Sequence, residues 1–276
     1  IFGIKSGYLQ ADDLLGLKAG GFWLGNPDRG LTAHQSTTLL FDPRTGAPVA
    51  LMDGNHITTV RTAAVGAIAA RRLARPDARV AAVLGCGVQG TGQAEALCHV
   101  LPITEIRAYD VHAGNLARFV ETLSRRPGLR VTAVSGAERA VRGADVIVTA
   151  IGGRTPVLQA DWVTPGMHVS AFGTDTRGKI EIDPAIFGVA TLVVDDVHQA
   201  KTIGETQHAV AAGFVAADAA PTTLGDILAG RAPGRRGETE VTLFDATGLA
   251  FQDIVAGAIA MRIAGELGLG RRVSLD

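Results

Sequence analysis

The chain has 276 residues and a formal net charge of -1, with 47% hydrophobic, 19% charged and 5% aromatic residues. A balance so near neutrality gives no electrostatic case for nucleic acid or an anionic membrane surface as partner. No apolar run reaches the length of a membrane span, because the C-terminal stretch "GLAFQDIVAGAIAMRIAGELGLG" is broken by Gln252, Asp253, Arg262 and Glu266. Cys86 and Cys98 have neither metal nor redox spacing, so a reducing, cytoplasmic setting is the default expectation.

In chain order, "IFGIKSGYL" is strand-like from the first residue, and since Ile1 is not methionine a further segment is expected upstream. "LLGLKAGGFWL" and "AHQSTTLLFDPRTGAPVALMDGN" carry short β-prone runs, and "STTLLFDPRTGAPVALMD" predicts a hairpin around Asp42–Gly46. A helix is expected from about Thr58 to Leu73, ended by Pro76. Arg61 stands near its start, where the helix dipole is unfavourable to a cation by a few tenths of a kcal/mol. From Ala78 the rhythm changes to strand and helix in alternation. "RVAAVLG", "EIRAYD", "LRVTAVS", "DVIVTAIG", "HVSAFG" and "TLVVDD" read as strands, with "VQGTGQAEALCHVL", "AGNLARFVETLSRR" and "GAERAVRGA" as intervening helices. That alternation implies βαβ units and a mostly parallel sheet. "RAPGRRGET" is a surface loop, and "EVTLFDATGLAFQDIVAGAIAMRIAGEL" a short strand, a turn and a long closing helix.

The strongest local signal is "VLGCGVQGTGQAEAL", in which Gly85, Gly87 and Gly90 form G-x-G-x-x-G between a strand and a helix. The first glycine permits the turn, the second lets backbone approach a pyrophosphate, and the third lets helix pack on strand. The phosphates then sit on the helix N-terminal amides. Asp110 ends the next strand, where a carboxylate accepts from both ribose hydroxyls and repels a 2′-phosphate. NAD is therefore the expected cofactor, with NADP left open by Arg107 and Arg118 nearby.

Four motifs, "ITTVRTAA" (57–64), "GCGVQG" (85–90), "GTDTRGKIEID" (173–183) and "TLFDATGLAFQD" (242–253), together resemble the ornithine cyclodeaminase/mu-crystallin family. They stand in family order and span nearly the whole chain. Within the family, "FGIKSGY", "GLKAGGFW", "HQSTTLLFDPRTG" and "IGETQHAVAAG" look most like the branch that reduces iminosuccinate to aspartate. The resemblance implies an α/β chain with a Rossmann dinucleotide-binding domain (76–245) inserted in a split α+β substrate and dimerisation domain (1–75 plus 246–276). It also implies a homodimer, with the active site in a cleft.

The resemblance assigns roles residue by residue. Arg61 matches the arginine that grips the substrate carboxylate, which suits its bidentate fork and the helix amides expected beside it. The alternative is an arginine paired with Asp53 or a cofactor phosphate. Lys18 matches the active-site lysine, with glycines on both sides that would clear space for a ligand, and its proximity to Arg61 should lower its pKa. Lys5 is a further candidate cation. Asp175 follows the strand "HVSAF" and matches the residue that handles protons at the substrate nitrogen, with a turn-forming aspartate as the alternative. His34, Gln35 and Ser36 are candidates to face the same cleft. Val88 and Gln89 of the glycine loop, Thr149, Phe172 and Thr247 complete the implied cofactor set. Glu205 and His208 read as architectural. Ala246 departs from the small polar residue often found after "FD" in the family, which weakens a nicotinamide contact at that position. The expected activity is NAD-dependent reduction of a small α-imino acid to an amino acid, or the reverse. The alternatives are an ornithine-type cyclodeaminase with bound NAD and a non-enzymatic dinucleotide-binding protein. No metal is expected.

Overall fold

The computed structural model describes residues 2–23 and 25–274; Ile1 and Leu24, which end two of the expected strand stretches, lie outside the described residues. The chain divides into two compact units, residues 1–61 with 249–276 and residues 62–248. The first boundary falls inside a helix at Arg61/Thr62, where the sequence reading put it after that helix, at residue 75.

In the first unit, β1 (Phe2–Leu9), β2 (Leu14–Phe22), β3 (His34–Phe41) and β4 (Pro48–Asp53) form an antiparallel meander in sequence order. The expected hairpin is present, with Asp42 N donating to Ala47 O and Gly46 in the left-handed region at φ 73°. The helix α1 (Gly54–Leu73) follows β4 directly and starts four residues before the expected Thr58. Asp53 Oδ1 accepts from Asn55 N at 2.8 Å, a local side-chain turn that apolar periodicity does not reveal. The closing helix α8 (Ala250–Glu266) packs on β1, β2 and β3. Glycines make that contact close. A Cβ on Gly16 would meet Ile254 Cγ1 at 3.2 Å, and one on Gly257 would meet Thr38 Cγ2 at 3.2 Å.

The second unit is built on β5 (Val80–Leu84), α2 (Val88–Val100), β6 (Glu105–Tyr109), α3 (Ala113–Leu123), β7 (Arg130–Ala133), α4 (Ala137–Val141) and β8 (Val146–Thr149). It continues through β9 (Arg154–Leu158), β10 (His168–Ala171), β11 (Ile180–Ile182), β12 (Ala190–Val194), α5 (Val197–Ile203), α6 (Thr206–Ala211), β13 (Thr222–Thr223), α7 (Leu224–Leu228) and β14 (Val241–Asp245). Among the described residues the main sheet is parallel with order β13-β12-β14-β10-β8-β5-β6-β7. Its central strands β5 and β8 are buried and largely apolar on both faces, as a helix-covered parallel sheet requires. Alternation sends Ala81, Val83, Val146 and Val148 to one core with α2 and α3, and Ala82, Leu84 and Ile147 to the other with α4.

The order reverses between β5 and β8, so ligands are expected at the carboxyl ends of those strands. The short elements β9, β11, β13, α5, α6 and α7 leave no periodic signal in the sequence, because two to seven residues are too few to display one. The stretch 231–239 is mostly exposed, but Arg235 anchors it inward by donating to Leu73 O at 2.6 Å and Glu240 O at 2.6 Å. No helix among the described residues is long and apolar enough to cross a membrane.

Candidate functional site

In the first unit, Lys18 on β2, Thr58 and Arg61 on α1, and Gln252 and Asp253 on α8 converge. Asp253 is fully buried, and its Oδ1 accepts from Arg61 Nε at 2.9 Å and lies 3.3 Å from Lys18 Nζ. Arg61 Nη1 donates to Gln252 Oε1 at 2.8 Å, and Lys18 Nζ donates to Thr58 Oγ1 at 3.1 Å. Nη2 of Arg61 makes no hydrogen bond among the described residues. Burial, and then the adjacent Arg61, lower the Lys18 pKa to about 8 against the opposing attraction of Asp253. The family resemblance pairs Lys18 with Arg61, whereas Asp253 stands out in the sequence only as a break in an apolar run. A carboxylate in the first turn of a helix gave no signal of where it would point.

Three expectations are corrected here. Arg61 is the eighth residue of α1, so it lies two turns in, where the dipole of the helix N-terminus has faded. Its anionic partner is Asp253, and the helix amides do not adjoin it. The alternative pairing with Asp53 is not made, since that carboxylate binds Asn55 N. The glycines beside Lys18 serve packing: Cβ atoms on Gly16 and Gly20 would meet Leu39 O at 2.8 Å and Ser36 Cβ at 2.5 Å. Gln35 is separated from its neighbours by strand alternation. His34 and Ser36 share the Lys18 face of the sheet and meet Asn55 Oδ1 at 3.0 and 3.3 Å, whereas the Gln35 amide donates to Thr32 Oγ1 at 2.9 Å on the other.

In the second unit the glycine loop joins β5 to α2. Gly85 has φ 96°, and a Cβ there would meet Ala150 O at 2.5 Å. A Cβ on Gly90 would collide with Gly85 O, so these two glycines answer to the fold. Gly87 differs. Its φ of -74° suits any residue, and a Cβ would meet nothing within 4 Å. Nothing in the protein demands a glycine there; a pyrophosphate laid on the α2 N-terminus does. Val88 is exposed at the first position of α2, and Gln89 Oε1 is buried with no partner. Asp110 follows β6, held by Cys86 N and His112 N at 2.8 Å each, which aims its carboxylate beside the loop. Burial and Asp110 push the Cys86 thiol up to about 12, so it has no thiolate chemistry. The residues present fit a dinucleotide.

The other expected cofactor residues are more enclosed. Thr149 is fully buried beside Glu181, while Ile151, two residues on, is exposed. Phe172 packs edge-on against Phe244 with ring centroids 6.0 Å apart. The Thr247 hydroxyl donates to Asp195 Oδ1 at 2.9 Å.

Asp175 lies on the loop after β10, with 40% of its side chain exposed, and pairs with Lys179 at 2.7 Å. Buried acids that sequence reasoning missed or left as architecture hold this loop. Glu205 accepts from the Thr174 hydroxyl and from Glu181 N, and Glu181 accepts from the amides of Gly152 and Gly173. Burial pushes Glu205 up to about 8 and Asp245 to about 6. His208 Nε2 meets Lys179 O at 2.6 Å.

A parallel sheet with a glycine loop at its switch point, and a ribose-length carboxylate one strand over, define a Rossmann-type dinucleotide-binding protein. The first unit holds a buried pair of cations, Lys18 and Arg61, suited to an anion. The chain belongs to the ornithine cyclodeaminase/mu-crystallin family, whose sequence model matches residues 2–263. It is 41% identical over 249 residues to the alanine dehydrogenase of Archaeoglobus fulgidus, covering 90% of this chain and 76% of that one. It is 38% identical over 275 residues to the iminosuccinate reductase of Paracoccus denitrificans, covering 100% and 85%. In structure it resembles the Δ(1)-pyrroline-2-carboxylate reductase of Thermococcus litoralis in complex with NADH and L-proline, with TM-score 0.93 and 32% identity over 96% of this chain and 83% of that one.

Proposed function

We propose that this protein is an NAD-dependent oxidoreductase that reduces a small α-imino acid to the amino acid, or runs the reverse, with iminosuccinate and aspartate as the preferred pair. The carrying observation is the buried Lys18–Arg61–Asp253 cluster in a chain that also has the Gly85–Gly90 loop. Arg61 and Lys18 anchor the α-carboxylate, and Asp175 offers a carboxylate to the cationic iminium nitrogen. Gly87, the α2 amides and Asp110 would hold the dinucleotide, which when bound supplies or accepts the hydride. The protein's main contribution is orientation, since hydride transfer needs close, aligned atoms.

Lys5 supports the dicarboxylate. It lies opposite Lys18 in the β1–β2 register and adds positive potential there. That charge suits a second carboxylate and opposes the side-chain ammonium that an ornithine-type cyclodeaminase must bind. A homodimer accords with the apolar residues exposed in the first unit, among them Phe2, Ile4, Tyr8, Val49 and Leu51.

The test is NADH oxidation with ammonium and oxaloacetate, pyruvate, glyoxylate or cyclic imines in turn. Preference for oxaloacetate is the expected result. Activity with cyclic imines alone would overturn the dicarboxylate reading, and conversion of ornithine without stoichiometric NADH use would replace it with cyclodeamination.

A further inference from the structure

Lys18 occupies a position that weakens a lysine's hold on its proton. It is only 8% exposed, and charged groups face it from three sides. Lys5 stands opposite on β1, Arg61 approaches from α1, and Asp253 from α8; the β3 residue opposite, Thr38, is uncharged. Two cations and desolvation therefore act against a single carboxylate. That carboxylate is itself fully buried, and its Oδ2 has no hydrogen-bond partner, so its ties to the protein run through Oδ1 to Arg61 and Lys18. A buried, half-satisfied carboxylate costs stability that packing at that position does not return. Its place between Lys18 and Arg61 points to a role in the cation pair.

We propose that Asp253 is a positioning residue: it keeps Lys18 charged and draws Lys18 and Arg61 to one point, so that a ligand carboxylate meets two aligned cations. The inference rests on the reading of Lys18 and Arg61 as carboxylate anchors. Asp253 acts through the two cations. Without its charge, burial and the two neighbouring cations strip the proton from Lys18 at a lower pH, and the ligand must then bind a neutral amine beside Arg61.

The decisive variant is Asp253→Asn, which keeps shape and removes charge. In oxaloacetate-plus-ammonium assays, wild-type kcat/KM should fall along a basic limb near pH 8, the Lys18 value. In Asp253→Asn that limb should move down by about one pH unit or more. KM at pH 7.5 should rise by about threefold or more, with kcat changed much less and KM returning toward wild type at pH 6. Asp253→Glu, which restores the charge, should return the limb. A KM raised equally at every pH, with the limb unmoved, would make Asp253 merely structural and overturn the proposal.

A second measurement needs no activity. The pH dependence of Lys18 acetylation by acetic anhydride, followed by mass spectrometry, reads its titration in the wild-type protein. A midpoint near 8 is expected, and a midpoint that is the same in Asp253→Asn as in wild type would overturn the proposal. The same labelling separates the two readings. If Arg61→Ala leaves KM unchanged, the anchoring role fails, while a labelling midpoint lowered in Asp253→Asn still establishes the tie between Asp253 and Lys18.

Discussion

Asp253 Oδ1 stands 2.9 Å from Arg61 Nε and 3.3 Å from Lys18 Nζ, so one buried oxygen joins groups brought by a strand and two helices. Arg61 still has Nη2 to offer a ligand, and charge-assisted hydrogen bonds of this kind contribute about 1.5–3 kcal/mol. Arg61→Ala should therefore lower kcat/KM for the oxo acid by roughly two orders of magnitude, chiefly through KM. NADH affinity, read by fluorescence titration, should stay within about twofold of wild type. A large loss of NADH affinity with little change in KM would reassign Arg61 to a cofactor phosphate.

Asp175 is the exposed carboxylate of its loop, with Lys179 as its ion-pair partner. Asp175→Asn should reduce kcat by roughly 10²–10⁴-fold, the range for a positioned group handling a proton or a developing charge. The thermal midpoint should barely move, since the residue is solvated. Steady-state kinetics beside a thermal melt checks both, and near-normal kcat would leave Asp175 as a turn residue.

Gly87 and Gly90 differ in what their missing side chains serve. Gly87→Ala should melt within about 0.5 kcal/mol of wild type, because its Cβ enters open space. It should nonetheless weaken NADH binding by about tenfold or more, since the pyrophosphate and that methyl group compete for the same place. Gly90→Ala should instead destabilise the protein by about 1–3 kcal/mol, as the new methyl group collides with Gly85 O. Equal losses of NADH affinity and stability in both variants would refute this division.

Glu205 gives the second unit a pH dependence of its own. Its folded-state pKa of about 8 lies above the ordinary 4.5, so the folded protein holds a proton that the unfolded chain has lost. Unfolding then releases a proton between about pH 4.5 and pH 8, and the stability contributed by this group is present below that window and lost as pH rises through it. Asp245, at about 6, acts in the same direction. Thermal midpoints should fall from pH 5 to pH 8.5, and Glu205→Gln, which retains an acceptor for the Thr174 hydroxyl, should flatten that fall. An unchanged slope in the variant would remove Glu205 as its source.

The glycine loop, the alternating strands and helices, and the pairing of Lys18 with Arg61 were legible in the residues. The loop and the strands rest on local signals, since Gly85 needs φ 96° and β5 and β8 are apolar on both faces, whereas Lys18 and Arg61 are paired through the family resemblance. What the residues left undecided depended on register and on contacts between distant segments. Strand alternation separated Gln35 from Ser36, and a four-residue error at the start of α1 moved Arg61 away from the helix amides. Asp253 lies 192 residues beyond Arg61, and its neighbours in sequence give no hint of that contact. Short-range physics determines which segments become strands, helices and phosphate loops. Only the packing of α8 on the first sheet decided that the isolated cation of α1 would have a buried carboxylate for its partner.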